Sequence, residues 1–123
     1  MATADKIMKA GVPAVTARAI VGDVELAVTA TGSSSQANSY AIRAVHTQGT
    51  AGAGNTGYRL PAANRGDTFT IANWSTGNTH IIYPPVGGVL NGGSANAGLN
   101  LATAKSALCV CLGNLDYSVI VGA

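Results

Sequence analysis

Charge is what this sequence has least of. Lys, Arg, Asp and Glu supply only 10% of its 123 residues, against about 25% in an ordinary globular domain. The seven Lys and Arg residues are spread from Lys6 to Lys105 without a cluster, and the formal net charge is +2. A chain that grips a phosphate backbone needs a basic stripe, so nucleic acid is excluded as a partner. Long apolar runs are missing as well. No stretch approaches the ~20 residues of a membrane-spanning helix, which excludes a membrane partner of that kind. The opening MATADKIMKAGVPA places Asp5, Lys6 and Lys9 where a secretory signal would need an apolar core, so synthesis and use in a cytosol-like compartment are expected. Aromatic residues make up 5% of the chain and cysteine occurs twice. Cys109 and Cys111 are two apart. In a strand they point to one face with nearly parallel Cβ vectors, a poor geometry for a mutual disulfide, and buried free thiols are expected.

What remains is small and apolar. Hydrophobic residues make up 47%, with 16 glycines. From Val24 the pattern alternates, with Val24, Leu26, Val28 and Ala30 on one side and Asp23, Glu25, Ala27 and Thr29 on the other, the mark of a half-buried strand. Ser39 to Gln48 and Asp67 to Trp74 repeat it, the latter with Phe69 and Ile71 inward. Short runs at His80–Tyr83, Leu99–Ala102, Ala107–Leu112 and Tyr117–Val121 follow, and Ala14–Val21 reads as a strand hairpinned to the next through Gly22-Asp23. Gly-, Ser- and Asn-rich breaks separate them: TGSSSQAN, GTAGAGNTG, STGN, PPVGG and NGGSANAG. No apolar 3.6-residue period persists, and no internal repeat is strong enough to argue a solenoid. The expected fold is all-β: a small β-sandwich or barrel of about eight short strands, residues 14–123, preceded by an extended N-terminal arm over residues 1–13. The low charge argues that much of the surface is covered in the working state. The arm offers Ile7, Met8 and Val12 as apolar anchors flanked by Lys6 and Lys9, a mix that suits docking on a partner.

Catalysis finds little to work with. His46 ends a strand and His80 starts one; neither stands beside a recognisable nucleophile or acid, and the two show no metal-ligand spacing with the cysteines. No G-x-S-x-G elbow occurs, and GTAGAGNTG lacks both the lysine and the helix of a phosphate cradle. Arg65-Gly66-Asp67 reads as a turn opening a strand. No enzyme activity, cofactor or metal is expected. Trp74, the single tryptophan, sits at a strand end, where it is more often a core or interface anchor than a stacking platform.

Residues 58–103 carry a further signal. They run YRLPAANRGDTFTIANWSTGNTHIIYPPVGGVLNG and then GLNLATA, with a strand ending at Leu60-Pro61, a Gly66-Asp67 turn and a strand ending at Asn73. A strand reaching Tyr83-Pro84-Pro85, then Gly87, Gly88 and Asn91-Gly92, and a last apolar strand complete the pattern. This resembles small tailed-phage capsid cement (decoration) proteins. The resemblance implies a structural virion protein on the outer surface of a bacteriophage capsid, a homotrimer bridging major capsid protein subunits and made in the host cytoplasm. It carries over no contact residues position by position. The partner-binding residues expected from the chain itself are Lys6, Ile7, Met8, Lys9, Val12 and Trp74. The alternative is a tail-fibre or baseplate tip that recognises a host surface glycan through Trp74, Tyr58 and Tyr83.

Overall fold

The computed structural model describes residues 23–122, and these contain nine strands and no helix. The strands are β1 (Val24–Thr29), β2 (Tyr40–Ala41), β3 (His46–Ala51), β4 (Gly57–Arg59), β5 (Thr68–Asn73), β6 (His80–Tyr83), β7 (Leu99–Leu101), β8 (Ser106–Cys111) and β9 (Tyr117–Gly122). The fold is therefore all-β, in two sheets. One holds five strands in the order β1-β3-β5-β8-β9, the other four in the order β2-β4-β6-β7. The expected N-terminal arm and the strand at residues 14–21 lie outside the described residues.

From β1 to β6 the route between the sheets is not a series of hairpins. From β1 to β6 the chain alternates between the two sheets, and each strand lies parallel to the strand two earlier. Val24 pairs with His46 and His46 with Thr70 in the first sheet; Tyr40 pairs with Tyr58 and Tyr58 with Ile82 in the second. That is a short solenoid winding, which sequence inspection misses. Its repeat is one of backbone position, 22 positions from Val24 to His46 and 24 from His46 to Thr70, and apart from Tyr40 opposite Tyr58 the residues placed opposite one another are chemically unlike. The winding ends after β6. Pro84-Pro85 denies the ladder two donors, and β7, β8 and β9 close the structure with antiparallel pairs to β6, β5 and β8.

The core lies between the sheets. Tyr58, Ile71, Ile82, Leu101 and Cys109 have no exposed surface, and Leu60, Cys111 and Tyr117 have 1% each. Fully burying a side chain of this kind stabilises by about 1.5–3 kcal/mol through area removed from water. Both cysteines are free and buried, as expected. They occupy alternate positions on the inner face of β8, opposite Phe69 or Val119 and Tyr117. Burial pushes the Cys109 thiol up to about 12, so it packs as a small hydrophobe. Gly49 is required where it stands, because a Cβ there would lie 1.7 Å from the Tyr58 hydroxyl. Asn91 and Gly92 both take positive φ, 52° and 71°, as a tight Asn-Gly turn demands.

Two strand readings change. Ser39–Gln48 is not one strand: β2 and β3 belong to different sheets, and Ile42 and Ala44, 4% and 5% exposed, are buried where the chain crosses between them. In β1, Val24 and Leu26 do not share the buried side with Val28 and Ala30. The register with β3 shifts between Glu25 and Val28, Ala27 takes φ 56°, and the irregularity leaves Val24 and Leu26 exposed while Val28 turns inward.

Candidate functional site

The five-stranded sheet has one face on the core and one away from it. Pairing in register puts partnered residues on the same face, so the outer face can be read off row by row. Its central row crosses all five strands: Val24, His46, Thr70, Leu108 and Ile120. The row to one side contains Thr68, Val110 and Ser118; the row to the other contains Gln48, Ala72, Ser106 and Gly122. None of these positions is Asp, Glu, Lys or Arg. The eight charged residues among those described all fall elsewhere, for example Glu25 and Arg43 in an ion pair of 2.9 Å beside Tyr40, which the Arg43 guanidinium overlies at 5.6 Å.

This face exposes aliphatic side chains that a strand could have kept inside. Ile120 is 64% and Leu108 41% exposed. Between them, floored by Ala107 and edged by Thr70, Ser106 and Gly122, lies a shallow depression of about 290 Å³. His46 interrupts the apolar row with its ring Nδ1 2.6 Å from the Thr70 hydroxyl oxygen.

Trp74 stands at the end of the same face. Along β5 the outward positions are Thr68, Thr70 and Ala72, and the alternation carries on past the strand to Trp74, which is 64% exposed. It is an exposed anchor, not a core residue. Its backbone N–H donates to the Gly49 carbonyl at 2.7 Å, and beside it opens a cleft of about 510 Å³ lined by Ser75, Thr76, Gly77, Thr103 and Ala104. The frame under the indole is tied down from below. The buried Asn73 amide donates to the carbonyls of Asn78 and Leu101 at 2.8 and 2.9 Å, and its Oδ1 accepts from the Ser75 N–H and hydroxyl. The Thr103 hydroxyl donates to the Ser75 carbonyl and accepts from the Gly77 N–H, so the two turns forming the cleft are joined. Fully bonded buried amides of this sort fix one backbone arrangement.

Of the residues expected to bind a partner, Trp74 alone falls among those described; Lys6, Ile7, Met8, Lys9 and Val12 lie outside them. The three aromatics of a glycan platform do not come together. Tyr58 is fully buried and Tyr83 only 7% exposed, so neither ring offers a surface beside Trp74. The chain's histidines do not meet either. His80 is buried against Tyr58, with its Nδ1 3.1 Å from the Tyr58 hydroxyl oxygen and the rings edge to face. Desolvation holds its pKa below 6.5 and pushes Tyr58 up to about 12. Among the described residues no three of His, Cys, Asp and Glu gather as metal ligands would. No described helix is long and apolar enough to cross a membrane.

Sequence reading missed the outer face of β8 and β9. The signal was present: Leu108, Val110 and Ile120 alternate with Cys109, Cys111, Tyr117 and Val119, so both strands carry large apolar residues on both sides. No family model matches the chain, and neither a curated protein nor a solved structure matches it.

Proposed function

We propose that this protein is a structural component of a bacteriophage virion, a cement or decoration protein that binds the capsid shell, self-associates through burial of a neutral surface, and bridges major capsid protein subunits as a homotrimer. The observation that supports it is the outer face of the five-stranded sheet, which is free of charge and carries Trp74, Leu108 and Ile120 in the open. Burying such a surface gains about 25 cal/mol per Å² and strands no charge away from water. A protein whose task is to add contact area at a junction needs little else. The resemblance of residues 58–103 to phage cement proteins supplies the shell as the partner. The test is to mix the purified protein with expanded, undecorated shells of the parent phage and measure occupancy by co-sedimentation. Saturable binding that raises the heat resistance of the shell is expected; no binding at micromolar protein would overturn the reading.

One observation favours the second reading, a tip module that binds a host glycan. Trp74 is exposed beside a cleft bearing the hydroxyls of Ser75, Thr76 and Thr103. Quenching of Trp74 fluorescence by host polysaccharide, abolished in Trp74→Ala, would establish it.

A further inference from the structure

We infer that the outer face of the five-stranded sheet is the surface on which copies of this chain pack against one another, centred on Leu108 and Ile120 with Trp74 at its rim. This rests on the self-association proposed above and names the surface that performs it: three copies can turn this face toward a common three-fold axis, and two can pack it face to face.

The occupant follows from charge. A surface holding no Asp, Glu, Lys or Arg cannot pair the charges of an ordinary protein surface, which would be desolvated without compensation. It matches a surface equally devoid of charge, and this sheet face is one, so a second copy meets it without a mismatch at any position. Shape agrees. Flat sheet faces pack on each other about 10 Å apart with side chains interleaved, and the depression of about 290 Å³ between Leu108 and Ile120 leaves room for an aliphatic side chain of a facing copy.

The β9 edge of the same sheet is occupied over its first half. On the side of β9 away from β8, the Tyr117 N–H donates to the Val89 carbonyl and the Tyr117 carbonyl accepts from the Asn91 N–H, each at 3.0 Å. The Asn91 side chain then imitates a neighbouring strand. Its Oδ1 accepts from the Val119 N–H at 2.7 Å and its Nδ2 donates to the Val119 carbonyl at 3.0 Å. With Tyr117 and Val119 capped in this way, strand addition along that stretch of β9 is blocked, which favours face-on packing for β8 and β9. Five strands by three outward rows give roughly 500 Å² per copy from strand spacing and rise. That is below the about 800 Å² per partner of a stable complex, so the association depends on concentration in solution.

The experiment is sedimentation of the full chain from low micromolar to near-millimolar concentration, alongside Ile120→Lys and Ile120→Glu. Both changes sit at an exposed position, so the melting temperature of the dilute protein should not move. The unaltered protein is expected to rise in mass with concentration, each variant to shift that transition by about tenfold or more, and a mixture of the two variants to recover part of it. Three results would overturn the inference: an unaltered protein that stays at 12.2 kDa throughout, variants that associate as it does, or variants that melt early as monomers, which would mean that another part of the same chain covers the face. Shell occupancy of the unaltered protein, measured separately, tests the cement reading and is independent of these outcomes.

Discussion

Strands β5, β8 and β9 face two ways, and their two faces are made of similar material put to different use. Inward, Ile71, Cys109 and Tyr117 are at most 1% exposed and Val119 6%. Outward, on the same strands, Leu108, Ile120 and Trp74 are 41%, 64% and 64% exposed. Neither face carries a charge and both hold large apolar side chains, although the outer one intersperses them with Thr68, Thr70, Ser106 and Ser118. What separates them is whether the second sheet lies over them. The inner face is sealed within the chain and sets stability; the outer face lies open among the described residues.

That contrast can be broken from the inside first. Ile71→Ala removes a fully buried side chain between the sheets and should cost about 3 kcal/mol, within the range for such truncations, measured by denaturant unfolding. Gly49→Ala forces a methyl group onto the Tyr58 hydroxyl. A cost of about 1–3 kcal/mol is expected from the displaced ring, and Gly49→Ala combined with Tyr58→Phe should recover part of it. Asn91→Ala strips the cap from β9, leaving the Val119 N–H and carbonyl without partners. It should cost about 1–2 kcal/mol and make the protein prone to aggregation, seen as light scattering on storage.

A smaller effect comes from pH. The unfolded chain takes up a proton on His80 near 6.5, while the buried ring of the folded chain does so only at lower pH. Acid therefore favours unfolding, with the contribution complete above 6.5 and falling away below it. Melting temperature should drop between about pH 7 and pH 5, and His80→Gln should flatten that slope. The smallest effect belongs to the outer face: Ser118→Lys should change the stability of the dilute protein by no more than about 0.5 kcal/mol. A large loss there would erase the distinction between the faces.

Much of this was legible in the sequence wherever alternation and turn residues coincide. His80–Tyr83 is β6 as read, Phe69 and Ile71 turn inward, β8 is shifted by one residue at both ends of its expected span, and β9 runs one residue longer. The winding was not legible. Hairpins announce themselves through a short turn between two strands, whereas β1, β3 and β5 pair across more than 20 intervening positions, with Val24 set against His46 and His46 against Thr70. The crossing at Ile42–Val45 was hidden because Tyr40, Ile42 and Ala44 keep a strand's alternation while the backbone leaves one sheet for the other. At the site, Trp74 was picked out by its rarity and its place at a strand end. The sheet face around it was not, because period-two alternation reveals that Leu108 and Cys109 point opposite ways but not which of them the second sheet covers.

The winding of β1 to β6 also sets what changes in length the protein can absorb. Each turn lays one strand in each sheet, so an added or lost segment is harmless where it falls between strands: the turn from Val24 to His46 takes 22 positions and the next takes 24, with the difference taken up in connecting loops. A single residue gained inside β5 would instead turn Ile71 to solvent and Thr70 to the core and misalign pairs with β3 and β8 together. Relatives of this protein should therefore vary in length at connections such as Gly52–Thr56 while β5 keeps its six residues, and lineages could lengthen the molecule by a whole turn without redesigning the antiparallel strands that close it.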